Sequence, residues 1–168
     1  GMLLSALALE AAERSLTGIE FARGIPGSVG GGIRMNAGAY GGTLSDYAYK
    51  VKAVDFCGCK IELNRDDIHF AYRNSSLFDL DVVITSVCFR LVLGNRDEIM
   101  ATMKDFARRR SLAQPLEYPS CGSVFRNPPG DHAGHLIEMA GLRGLSCGDM
   151  EVSKKHGNFI VNHGAGTA

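Results

Sequence analysis

The chain has 168 residues and a mass of 18.0 kDa, enough for one ordinary domain or two small ones with a sizeable core. Hydrophobic residues make up 45% and charged residues 21%, and 18 basic side chains balance 18 acidic ones. The near-average composition argues against a disordered chain, and the charge balance leaves no basic footprint for nucleic acid or an anionic membrane surface. Glycine is the anomaly: there are 21, where average usage gives about 12. With 5 prolines and no collagen period, the excess is neither fibrous nor low-complexity. It implies backbone placed where side chains would obstruct something.

The five cysteines, Cys57, Cys59, Cys88, Cys121 and Cys147, are odd in number and scattered. Cys57-Gly-Cys59 lacks the spacing of a zinc knuckle or a redox pair, so free thiols in a reducing compartment are expected. No apolar run reaches the ~18 residues of a membrane span, so no contact with a membrane is expected. The opening stretch Leu3–Ala12 carries Glu10 and lacks a basic leader, which argues against a signal peptide. A cytoplasmic location follows as the expectation.

In chain order, Leu3, Leu4, Leu7, Ala8, Ala11, Ala12 and Leu16 recur at helical spacing, with Gly18 as the expected C-cap. A glycine-rich loop occupies 24–42. Alternation over 49–56 and 60–63 around Gly58 predicts a β-hairpin. Residues 81–93 predict one long strand with Val83, Val87, Phe89 and Leu91 on one face. Asn95, with Glu98 three residues on, predicts a capped helix with Ile99, Met103, Phe106 and Ala107 inward. Arg108-Arg109-Arg110 is expected to end it, and three arginines there suit either a helix C-terminus or an anion clamp. Gln114-Pro115 marks a boundary between domains 1–113 and 114–168. Beyond it come a glycine turn at Cys121-Gly-Ser123, a short strand and the turn Asn127-Pro-Pro-Gly130. A helix around Leu136, Ile137 and Ala140, ended by Gly141, and a last strand over 158–162 complete the series. Strands and helices without regular βαβ alternation predict an α+β fold.

Successive N–H groups of a glycine-rich loop can converge as an anion nest that no side chain blocks. The loop lacks the Gly-Lys-Ser/Thr ending of a P-loop. A helix rather than a strand precedes it, which is not the Rossmann context. On these residues alone, a pyrophosphate held by another architecture and plain backbone–backbone packing both remain open.

The loop reads Gly18-Ile-Glu-Phe-Ala-Arg-Gly-Ile-Pro-Gly-Ser-Val-Gly-Gly-Gly32, then Met35-Asn-Ala-Gly-Ala-Tyr-Gly41. Further blocks are Ala71-Tyr-Arg-Asn-Ser-Ser-Leu77, 109–120, Gly122-Ser-Val-Phe-Arg-Asn-Pro128, 135–144 and 152–162. In this order, over nearly the whole chain, they resemble the UDP-N-acetylenolpyruvoylglucosamine reductase (MurB) family, in its shorter subtype. The resemblance implies the second part of a two-part, vanillyl-alcohol-oxidase-like FAD-binding domain, followed by an α+β substrate-binding domain. It implies FAD as cofactor and NADPH as co-substrate. The reaction implied is reduction of the enolpyruvyl ether of a UDP-sugar to UDP-N-acetylmuramate, for the bacterial cell wall.

By motif position, Ile25, Gly27, Ser28, Val29, Gly30, Gly31, Asn36, Ala37, Gly38, Ala39 and Tyr40 correspond to FAD-binding positions. Ser123 corresponds to the proton donor to an enolate-like intermediate, a role that needs a polarised hydroxyl beside a strongly basic carbon. Without the motif, Ser123 would read as a turn residue. Arg73 corresponds to the arginine on the substrate carboxylate, which suits a permanent, bidentate charge. Tyr72, Asn127 and Arg126 correspond to substrate-side positions; Lys154 and His156 fall in a family block, with His156 expected in a structural or peripheral role. His132, His135 and His163 lack ligand spacing, so no metal is expected.

The family runs to nearly twice this length, so the resemblance covers its middle and later parts. The chain is therefore expected to be a piece with weak FAD binding and little turnover, its second acidic catalytic residue lying outside. Apolar surface left on helix 3–16 and on the sheet would favour self-association. Local departures are Gly148-Asp149, Gly157, and Arg34 at a generally apolar position. Two alternatives stand beside this: a non-catalytic nucleotide- or partner-binding piece, and another FAD-dependent oxidase of the same architecture.

Overall fold

In a computed structural model, which describes residues 1–167, the first apolar stripe forms helix α1, Leu4–Glu13. Leu4, Ala8, Ala11 and Ala12 are buried, so the face expected to stay exposed is covered. The helix ends earlier than Gly18. Ser15 takes a φ of 59°, its N–H donating to the Ala12 carbonyl at 3.0 Å. Leu16 therefore leaves the helix for β1 (Leu16–Thr17), which pairs antiparallel with Val92–Leu93.

The glycine loop holds a short helix, α2 (Val29–Arg34), and a tight hairpin of β2 (Gly38–Ala39) and β3 (Gly42–Thr43). Tyr40 (φ 54°) and Gly41 (φ 85°) turn that hairpin, the two positive values that a twisted two-residue turn needs. Strands β4 (Ala48–Asp55) and β5 (Lys60–Asn64) form the expected hairpin around Gly58. Next come β6 (Phe70–Ala71), β7 (Asn74–Ser75) and β8 (Val82–Phe89), and β8 completes a three-stranded sheet in the order β5-β4-β8. The expected strand over 81–93 is divided, because β9 (Val92–Leu93) pairs with β1 instead. Val83 is 58% exposed, contrary to the expected face. Lys52 pairs with Ser86 but Ala53 with Ile84, so Thr85 is an extra residue in β8. A bulge of this kind switches the inward set from Val82 and Ile84 to Val87 and Phe89.

Helix α3 (Arg96–Ala113) starts as expected, with Asn95 Oδ1 accepting from the N–H groups of Asp97 (2.9 Å) and Glu98 (3.3 Å). Ile99 and Met103 are buried and Phe106 half-buried, but Ala107 is exposed. The three arginines do not end the helix. Arginine is a good helix former, and the stop falls at Gln114-Pro115, where the missing N–H and the ring forbid continuation. The chain divides into two compact units, Gly1–Ala107 and Arg108–Ala168. In the first, Leu4, Ile19, Ile33, Leu44, Val51 and Leu77 are the largest fully buried side chains.

Arg34, the charged residue at an expected apolar position, is half-buried on the backbone before and within β8. It donates to the carbonyls of Val82 (3.2 Å), Leu80 (3.1 Å) and Phe78 (3.4 Å), and its guanidinium lies 5.2 Å from the Phe78 ring centroid. Arg34→Met keeps the aliphatic stem but strips the three carbonyls of their donor. A loss of about 1–3 kcal/mol is expected, measured as a lower midpoint in urea at an unchanged slope.

The second unit is an antiparallel sheet in the order β10-β13-β12-β11, with helix α4 (Ala133–Met139). Its strands are β10 (Ser120–Ser123), β11 (Ser146–Cys147), β12 (Met150–Val152) and β13 (Phe159–Asn162). The expected turn at 121–123 is instead strand, broken by an irregularity between the Ser120–Val161 and Ser123–Phe159 pairs, with Gly122 at φ 84°. Gly141 (φ 69°) ends α4 as expected, and the Leu142 N–H reaches back to the Ile137 carbonyl at 3.1 Å. The fold is α+β. All five cysteines are free and exposed, and no helix among the described residues is long and apolar enough to cross a membrane.

Candidate functional site

In the first unit, the opening of the chain zips onto the glycine loop. The Leu4 N–H donates to Gly27 O (3.0 Å) and the Val29 N–H to Met2 O (2.9 Å). Ser28 caps α2, its Oγ accepting from the Gly31 N–H at 3.1 Å. The glycines then sort by what a side chain would meet. A Cβ at Gly27 or Gly41 would have nothing within 4 Å, and one at Gly31 would meet only Ser28 Oγ, at 3.3 Å. Gly27 (φ 128°) and Gly41 (φ 85°) thus face open space, and Gly31 meets only the capping hydroxyl. A Cβ on Gly32 would lie 2.8 Å from Leu4 Cδ1, on Gly38 2.5 Å from the Gly42 carbonyl oxygen, and on Gly42 2.7 Å from Phe21. Gly30 faces Ile84 at 3.6 Å. Open and tightly packed positions thus share one loop.

The other expected cofactor positions are used partly inside the protein. Asn36 is buried at φ 44°. Its Oδ1 accepts from the Ser45 N–H (3.1 Å) and its Nδ2 donates to the Ala71 carbonyl (3.1 Å). Its amide ties the loop to the turn before Arg73 and leaves only backbone for a ligand. Ala37 is buried, and Ile25, Val29 and Ala39 are half-buried against the core. Tyr40 stacks on Phe106 at 4.3 Å and 5°, its hydroxyl donating to the Phe106 carbonyl at 3.0 Å.

Arg73 sits at the tip between β6 and β7 with a φ of 53°. Its Nη2 donates to the Gly38 carbonyl at 2.8 Å, and its guanidinium lies 5.1 Å from the exposed Tyr72 ring. Among the described residues it meets no carboxylate, so the rest of its fork stays available to an anion. The structure therefore brings Arg73 and Tyr72 to the glycine loop.

In the second unit, Ser123 and Asn127 line a hollow of about 270 Å³ together with His132, His135, Lys155 and His156. Ser123 is exposed at the end of β10, and its hydroxyl makes no hydrogen bond among the described residues. Asn127 is committed to the start of α4. Its Oδ1 accepts from the Ala133 N–H at 3.1 Å, and its Nδ2 meets His132 Nδ1 at 3.2 Å. Arg126 is exposed and does not line the hollow. Lys155 does, and its Nζ donates to the Ser111 carbonyl at 2.8 Å.

His156, expected in a structural or peripheral role, forms part of the wall. Its Nδ1 accepts from the Asn158 N–H at 3.2 Å, and its ring meets Phe159 edge-on at 4.8 Å. Burial, with the Arg143 charge adding to it, holds its pKa below the ordinary histidine value. Asp131 is held low by the His132 N–H and then by His135, whose Nδ1 is 2.9 Å away. The sign for His156 is that the unfolded chain takes its proton first. Stability is lost as pH falls through about 6.5. His156→Gln is expected to shrink the drop in melting temperature between about pH 7.5 and 5.5, measured against the parent chain.

A model of the UDP-N-acetylenolpyruvoylglucosamine reductase C-terminal domain matches residues 114–168. The chain is 48% identical over 159 residues to the UDP-N-acetylenolpyruvoylglucosamine reductase of Staphylococcus carnosus (strain TM300), covering 95% of the chain and 52% of that relative. It is 47% identical over 168 residues to that of Clostridium kluyveri (strain NBRC 12016), covering 100% of the chain and 55% of that relative. A crystal structure of UDP-N-acetylenolpyruvylglucosamine reductase (MurB) from Thermus caldophilus superposes with a TM-score of 0.89 at 39% identity. That match covers 98% of this chain and 60% of the other. The chain spans about half the length of the curated relatives it matches. With that identity along its whole length and the same fold, the chain belongs to the UDP-N-acetylenolpyruvoylglucosamine reductase family.

Proposed function

We propose that the chain contributes the phosphate cradle and two substrate-facing side chains of a flavin-dependent reductase. Its substrate is UDP-N-acetylglucosamine enolpyruvate and its product UDP-N-acetylmuramate. In this reading 1–113 is the later part of a two-part FAD-binding domain, and 114–168 belongs to the substrate domain. The observation that carries it is the open space at Gly27 and Gly41, with only the Ser28 hydroxyl near Gly31, in a loop that Asn36 and Arg73 tie in place. That clearance fits a dinucleotide pyrophosphate.

Bound FAD would supply the hydride, drawn from NADPH, to the vinyl carbon far from the carboxylate. The chain's own residues do the rest. The Arg73 guanidinium holds the substrate carboxylate and stabilises the charge that spreads into it as the double bond is consumed. Ser123 Oγ–H delivers its proton to the enolate-like carbon. A hydroxyl is a weak acid, but an enolate carbon is basic enough to take its proton. The Ser123 oxygen then regains a proton from water.

Titrating the chain with FAD while following flavin fluorescence tests the cradle. Weak, saturable uptake is expected. In Gly31→Ala a methyl group crowds Ser28 Oγ at the loop surface, so uptake should weaken at least tenfold. Melting temperature should change little, because the gain of about 1 kcal/mol for alanine over glycine in a helix offsets loss at the Ser28 cap. A parent chain that takes up no flavin, or a Gly31→Ala chain that binds it equally well, would sink the cradle.

A further inference from the structure

We propose that Asn158 is a positioning residue for Ser123, locking the strand end that presents the hydroxyl to its hollow; the proposal rests on Ser123 being the proton donor. The sheet alone holds that strand end loosely. The β10–β13 ladder is interrupted between Ser120 and Ser123, where Gly122 takes a φ of 84°, and its last pair is Ser123 with Phe159. Beyond it the chain gets little help from burial, since Val124 is 39% and Phe125 60% exposed. Hydrophobic packing therefore cannot fix the direction in which Ser123 points.

Asn158 supplies the missing constraint. It is 3% exposed, and its side-chain amide acts as one more peptide group in the ladder. The Phe125 N–H donates to Asn158 Oδ1 at 2.9 Å, and Asn158 Nδ2 donates to the Phe125 carbonyl at 2.8 Å. Its own carbonyl accepts from the Val124 N–H at 3.0 Å, and its N–H donates to His156 Nδ1 at 3.2 Å. Every polar group of Asn158 is thus engaged, and two of the partners lie within two residues of Ser123. Removing the amide would leave both polar groups of Phe125 without it and release the segment that follows Ser123. A proton donor must sit within about 3 Å of the atom it protonates, so a small swing of this strand end matters to the reaction long before it matters to the fold.

The test separates the two halves of the reaction in the flavin-loaded protein under anaerobic conditions. One half is flavin reduction by NADPH, and the other is reoxidation by the enolpyruvyl sugar. Asn158→Ala, and the isosteric Asn158→Asp should the first fail to fold, are expected to slow reoxidation at least tenfold. Flavin reduction should stay within twofold. The double variant Ser123→Ala/Asn158→Ala should be no slower than Ser123→Ala alone, because a positioning residue has nothing left to position. Multiplying losses in the double variant, or equal slowing of both halves, would overturn the proposal in favour of a purely structural role. If Ser123→Ala itself reoxidises at the parent rate, or the parent takes up no flavin, the underlying reading fails instead, and this one falls with it.

Discussion

In a Ser123→Ala variant, passage of reducing equivalents from bound flavin to the enolpyruvyl sugar is expected to slow by about 10²–10⁴-fold, the usual worth of a positioned acid. Flavin reduction by NADPH should be unchanged. The expectation follows from how little Ser123 does for the fold. Its side chain is exposed, makes no hydrogen bond among the described residues, and opens onto the hollow shared with Asn127 and His156. Deleting the oxygen therefore removes an acid without removing a strut, and the melting temperature should hold within about a degree, as for other surface substitutions. Stopped-flow absorbance of the flavin band resolves the two halves. Reoxidation within threefold of the parent would remove Ser123 from the reaction.

Gly38→Ala tests the opposite kind of residue. An added Cβ would lie 2.5 Å from the Gly42 carbonyl oxygen, 2.8 Å from Thr43 Cγ2 and 3.2 Å from Thr43 Cα. Two of those three are backbone atoms of the paired strand, so no rotamer change can relieve the clash and the β2–β3 hairpin has to open. A cost of about 1–3 kcal/mol is expected, or about 2–4 °C in melting temperature for each kcal/mol. The Gly38 carbonyl also accepts from Arg73 Nη2, so the shift carries Arg73 with it and flavin and substrate binding should weaken together. Gly31→Ala, in the same loop, should instead keep stability and lose flavin. Equal stability losses in the two variants would mean that the loop has no open face.

Most regular elements were legible from local periodicity. The stripe of α1, the hairpin around Gly58, the Asn95 cap of α3 and the Gly141 stop of α4 all depend on residues a few positions apart. The misplacements have one cause. Ser15 rather than Gly18 ends α1, Thr85 bulges β8 and moves Val83 outward, and α3 runs through its arginines to Ala113, just before Pro115. In each case tertiary pairing, or a nearby proline, overrode a local preference.

The candidate site divides the same way. Its motif blocks could be read in order, and with them Arg73, Ser123 and the glycine loop. Roles inside the loop could not. That the Asn36 amide joins Ser45 to Ala71, 35 positions from itself, could not be read from the motif. Asn158 carried no signal beyond leading a strand, although it meets Phe125 across 33 positions.

By itself, then, the amino-acid order determined the family, the α+β class and the location of the glycine excess, because motif and periodicity are local properties of a chain. Only the tertiary structure decided which of those glycines face open space and which make room for Leu4, Phe21 and the Gly42 carbonyl. The reason is steric. A glycine has no side chain to reveal its purpose, and what its missing Cβ would have met is known only once distant segments have come together.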